Sequence, residues 1–102
     1  MASMELMFEL ALTTTDQRAF ICNYNYVWTL EVVSTTTTQV TVYQPTTGQT
    51  LGLNTQWLIY NALRFGANQC VAKSGIYTPS GRDIRAYATT SDCILRGYGL
   101  RL

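Results

Sequence analysis

The sequence predicts a mainly β domain, a small antiparallel sandwich or barrel, and three observations lead there. Sixteen of the 102 residues are threonine and seven are tyrosine, side chains that suit a pleated, half-buried surface. Apolar and polar residues alternate through several windows, the period of a strand with one buried face. Clusters of Gly, Pro, Asn, Ser and Thr punctuate those windows at short intervals. The length fits a single domain spanning 1–102.

Along the chain, Leu6, Phe8, Leu10 and Leu12 alternate with Glu5, Met7, Glu9 and Ala11, which predicts a first strand, with a helix as the alternative because Glu5 and Glu9 also stand four apart. Thr13 to Arg18 reads as a turn. Ala19–Val33 is the longest alternating run, with Phe20, Cys22, Tyr24, Tyr26, Trp28, Leu30 and Val32 on one parity. It exceeds a normal strand, so a bend or bulge is expected near Asn23 or Asn25. Ser34–Thr38 then connects to Gln39–Gln44, and the two strands are expected to form a hairpin, with a strand continued through the four threonines as the alternative. Pro45-Thr46-Thr47-Gly48 is a turn.

Leu51–Phe65 is the ambiguous segment. Asn54 is placed to cap a short helix over 55–65, ended by Gly66, with a strand pair as the alternative. Two short strands, Gln69–Lys73 and Ile76–Thr78, follow on either side of Ser74-Gly75. Pro79-Ser80-Gly81 turns the chain into Asp83–Thr90, and Asp92–Leu102 ends it. Gly97 and Gly99 there predict a bulge, a kink or a close approach of another backbone. The segments 1–12 and 92–102 read either as core strands or as arms exchanged with a neighbour.

Much chemistry is excluded. The chain has no histidine, which removes the commonest general base and metal ligand. Cys22, Cys70 and Cys93 are too few for a cysteine-only zinc site and uneven for a disulfide framework. Neither a phosphate-binding loop nor a catalytic dyad is present, so no enzyme activity, cofactor or metal is expected. Glu5 and Glu9 interrupt the apolar start, which lacks the basic region of a secretory signal. No apolar run is long enough for a membrane helix.

Charge is scarce and unevenly placed. Only 13% of residues are charged, and between Arg18 and Arg64 Glu31 stands alone. Residues 1–31 carry four carboxylates against one arginine; residues 64–102 carry six cations against two carboxylates. The two ends therefore complement one another, either within one subunit or head to tail between subunits. Six cations are a weak footprint for nucleic acid, and that partner is disfavoured.

Six arginines accompany a single lysine, and Arg, Tyr and Trp are the residues enriched at protein interfaces. Trp28, Tyr43, Trp57, Arg82, Arg85, Arg96, Tyr98 and Arg101 are accordingly the candidate interface residues. For either tryptophan the competing reading is a place in the core. Uncharged segments such as Val40–Tyr43 also need protection against edge-to-edge pairing, which closure of the fold or permanent assembly would supply.

A short, Met-initiated, Thr- and Tyr-rich, catalytically empty β domain resembles, in composition, the small virion proteins of tailed bacteriophages: decoration, cement, head-completion and tail components. The resemblance implies a homo-oligomer bound to a capsid or tail lattice, made in the host cytoplasm and located in the virion. It assigns no site residues. The competing expectations are a glycan- or host-surface-binding sandwich using Trp28 or Trp57, and a nucleic-acid-binding barrel using Arg82, Arg85, Arg96 or Arg101.

Overall fold

The computed structural model describes residues 4–52 and 57–102. They form eight strands: β1 (Glu5–Leu12), β2 (Gln17–Cys22), β3 (Tyr26–Ser34), β4 (Thr38–Tyr43), β5 (Leu58–Phe65), β6 (Gln69–Thr78), β7 (Arg82–Ala88) and β8 (Cys93–Arg101). One antiparallel sheet has the order β1-β8-β3-β6, the other β2-β7-β4-β5. Pairs 1·8, 2·7, 3·6 and 4·5 are those of one long hairpin, and 3·8 and 4·7 roll it up. This is the strand order of a jelly roll.

The long alternating run is two strands rather than one bent strand. The chain breaks at Asn23–Asn25 and crosses from one sheet to the other. Asn25 Oδ1 accepts the Ser80 N–H at 2.8 Å and the Asn23 carbonyl accepts the Ser80 hydroxyl at 3.2 Å, which fixes the corner. Parity survives the crossing because Tyr26 follows Cys22 by four positions, so Phe20, Cys22, Tyr26, Trp28, Leu30 and Val32 all enter the core, while Tyr24, at the corner, is exposed.

The expected hairpin between Ala19–Val33 and Gln39–Gln44 does not form. β3 and β4 lie in opposite sheets, and Ser34–Thr38 carries the chain across the end of the sandwich. The threonines there exchange hydroxyl hydrogen bonds: Thr36 Oγ1 donates to Asp92 Oδ2 at 3.4 Å, and Thr38 and Thr89 share one at 3.2 Å. Val40–Tyr43 sits between β5 and β7, so closure of the fold protects it.

The helix expected over 55–65 is corrected where the structure describes it. Leu58–Phe65 is strand β5, and the earlier part of that span, with the Asn54 cap, lies outside the described residues. Asn61 and Ala62 together oppose Thr41, a bulge in which Ala62 takes φ +48°. Tyr60 and Leu63 thereby both reach the core at a spacing of three, which imitates a helical face. Ser74-Gly75 is likewise a bulge inside one continuous strand, opposite Thr29, rather than a turn between two.

Gly97 and Gly99 make room for aromatic rings. A Cβ on Gly97 would lie 2.0 Å from Phe8 Cε2, and one on Gly99 would lie 2.6 Å from Trp28 Cζ3. The rings fill those gaps and meet each other edge-on, Phe8 to Trp28 at 5.5 Å and Phe20 to Trp28 at 5.2 Å. Such clusters add about 0.5–1.5 kcal/mol per pair beyond the area they bury.

Candidate interaction surface

The two outer faces of the sandwich differ. On β2-β7-β4-β5, the segment after β4 continues beside the start of β7 in the same register, where Asp83 N–H donates to the Pro45 carbonyl at 2.9 Å, and its Thr47–Gly48 end turns over the outer face. It covers Asp83, which is 0% exposed and accepts from Arg18 Nε at 3.2 Å, Thr47 Oγ1 at 3.1 Å and the Gly48 N–H at 3.2 Å. Tyr43, also on this face, donates its hydroxyl to Asp16, whose other oxygen accepts from Arg85 Nε at 3.3 Å. Burial, then the Asp16 carboxylate, pushes the Tyr43 phenol up to about 12.

Arg82 donates to the Gln44 carbonyl at 3.0 Å and lies over the Trp57 ring at 5.6 Å. Four of the predicted interface residues, Tyr43, Trp57, Arg82 and Arg85, are therefore brought together, but they bind the chain to itself. Trp28 is 0% exposed and serves the core instead of the surface, the competing reading of that residue. Arg101 stacks on Tyr24, 3.4 Å from the ring centroid, at one end of the sandwich.

Arg96 and Tyr98 are on the other outer face, that of β1-β8-β3-β6, and this face has no covering segment among the described residues. Register sets its side chains in four rows across the strands. One row carries Leu100, Val27 and Tyr77, and the next Leu6, Tyr98 and Thr29. The third is Glu9, Arg96, Glu31 and Ala72; the fourth is Ala11, Ile94, Val33 and Cys70. Leu6 is 53% and Tyr77 51% exposed, while Val27, Val33, Ile94, Tyr98 and Leu100 are half-buried.

Three rows are thus largely apolar and one is an ion ladder. Arg96 Nε donates to Glu9 Oε2 at 2.7 Å and its Nη1 to Glu31 Oε1 at 3.0 Å. Those hydrogen bonds, Glu9 first, push the guanidinium's pKa up. The complementary charges of the two ends meet here within one chain, since β1 and β8 are neighbours. An apolar face of this extent on a sandwich is the feature that marks interaction surfaces.

Sequence reasoning missed Leu6, Val27, Val33, Tyr77 and Ile94. The signal for Val27 and Val33 was present, because both parities of β3 are apolar at its ends. Leu6 was assigned to the core; the bulge at Met7 turns it outward and sends Met7 and Phe8 inward.

A shallow groove of about 260 Å³ is lined by Thr37, Thr38, Gln39, Arg64 and Thr89. It has hydroxyls and one cation but no aromatic wall. No group of three or more metal-ligating side chains is found among the described residues, and no described helix is long and apolar enough to cross a membrane. Comparison of the chain with protein-family models, with curated proteins and with solved structures finds no match.

Proposed function

We propose that this chain is a structural assembly protein, a homo-oligomeric virion component that attaches to a capsid or tail lattice. The observation that carries the reading is the uncovered outer face of β1-β8-β3-β6, apolar in three rows of four. The opposite face is more polar, with the pairs Arg18–Asp83 and Arg85–Asp16 on it, so apolar contact surface is concentrated on one side. Jelly rolls recur in viral capsid domains, although they recur in lectins and cupins too, so the fold by itself selects no function.

The site chemistry favours assembly over the two competing readings. Trp28 and Trp57 are both buried and offer no stacking platform for a sugar ring. Arg82, Arg85 and Arg96 are engaged by Gln44, Asp16 and the pair Glu9 and Glu31, which leaves no arginine cluster for phosphate. Particles purified from the source of the sequence provide the test. Peptides of this chain recovered after nuclease treatment and a high-salt wash support the function; their absence from washed particles overturns it.

A further inference from the structure

We propose that two copies of this chain pair face to face through the outer side of β1-β8-β3-β6. Their two-fold axis runs parallel to the strands, midway between β8 and β3. The inference rests on reading this face as an assembly surface and specifies the partner as a second copy and the geometry of its seat.

The ion ladder selects that axis. β8 and β3 are adjacent, and Arg96 and Glu31 stand directly opposite one another in register. Rotation about a line between them places Arg96 of one copy over Glu31 of the other, and Glu31 over Arg96. The same rotation lays Glu9, at the sheet's β1 edge, over the small Ala72 at the β6 edge. No carboxylate meets a carboxylate and no arginine meets an arginine. An axis along either β8 or β3 would instead superpose like charges, at a cost that selects against it.

The apolar rows obey the same operation. Ile94 comes over Val33, Leu100 over Val27, and Tyr98 over Thr29, each reciprocally. Two outer faces so matched can pack about 10 Å apart with strands roughly aligned, as sheets do inside a sandwich. Four strands of eight to ten residues make a face of roughly 19 by 30 Å, hence about 1,100 Å² from the two copies. That lies just above the 1,000 Å² or so a specific interface needs and fits a reversible dimer.

Sedimentation equilibrium of the full chain up to about 100 µM tests the pairing. The expected result is a monomer–dimer equilibrium. Arg96→Glu gives a row of carboxylates and Glu31→Arg removes the acceptor, so each variant alone loses dimerisation at least tenfold. An equimolar mixture of the two regains it, because every row then faces its opposite charge. Ile94→Ser, on the outer face and outside the ladder, weakens the wild-type dimer at least tenfold without depending on charge. Circular dichroism identifies any variant that fails to fold, in which case Ile94→Ser decides.

A wild-type chain that stays monomeric, a variant pair that does not recombine although both members fold, or an unchanged dimer in Ile94→Ser overturns the pairing. A monomer still found in washed particles would leave the assembly function standing while removing this geometry. A dimer absent from particles would do the reverse.

Discussion

Gly97→Ala tests the packing of the aromatic cluster at its tightest point. The new Cβ would lie 2.0 Å from Phe8 Cε2, 2.4 Å from Cζ and 2.7 Å from Cδ2, where ordinary contact begins at 3.4 Å. The Phe8 ring cannot swing away freely, since Phe20 stacks on it at 5.9 Å and Trp28 meets it at 5.5 Å. Overpacking of this kind costs about 1–3 kcal/mol, and a clash with three ring atoms places Gly97→Ala at the upper end. A domain of this size loses about 4–8 °C per kcal/mol, so the melting temperature should fall by roughly 10–20 °C. Urea unfolding followed by tryptophan fluorescence reads the loss directly. Phe8→Leu removes the clashing Cε2 and Cζ atoms, so in the double variant the two losses should fall short of additivity by about 1 kcal/mol or more. A loss below about 0.5 kcal/mol for Gly97→Ala, or strict additivity, would refute the account of why glycine stands there.

Asp83→Ala removes the carboxylate that holds the Thr47 hydroxyl and the Gly48 N–H; both donors are on exposed residues and resolvate, so the loss should be about 1–2 kcal/mol, with faster hydrogen exchange over 46–49. Arg18 is 41% exposed and resolvates, so its share is small. Ala62→Gly relieves a left-handed residue and should stabilise by up to about 1 kcal/mol in urea unfolding, whereas Gly75→Ala, at φ +73°, should destabilise by about as much. Cys70 is exposed and should react promptly with a disulfide reagent, while Cys22, pushed up to about 12 mainly by burial, and buried Cys93, also raised, should react only on unfolding. Tyr43 and Tyr60 are each pushed from 10.0 up to about 12, chiefly by burial. The folded chain therefore holds protons the unfolded chain has released, at Cys22 from 9.0 as well; stability is full below about pH 8, falls between about pH 8 and 12, and the urea midpoint should follow it.

What the sequence disclosed follows a physical divide. Local alternation identified β3 and the inward parity of Phe20 to Val32 except at Tyr24 in the corner, because the strand period is set by the backbone itself. It could not tell that β3 and β4 belong to different sheets, since a hairpin and a sheet-to-sheet crossing leave the same pattern. Bulges defeated it twice. The extra residue at Met7 turned Leu6 outward, and the one at Asn61–Ala62 gave β5 a helix-like spacing. Arg and aromatic residues were read as interface formers, but residue type does not distinguish a contact within the chain from one between chains. Tyr43, Arg82 and Arg85 form the first kind. The uncovered face emerged only when register aligned the second parity of β3 with that of β8.

Oxidative footprinting of washed particles against the free chain at about 0.1 µM, where an interface this small is dissociated, measures that face directly. The account predicts protection of Leu6, Tyr77 and Tyr98 in the particle, with Tyr24 at the sandwich end labelled equally in both. Equal labelling of all four would contradict it.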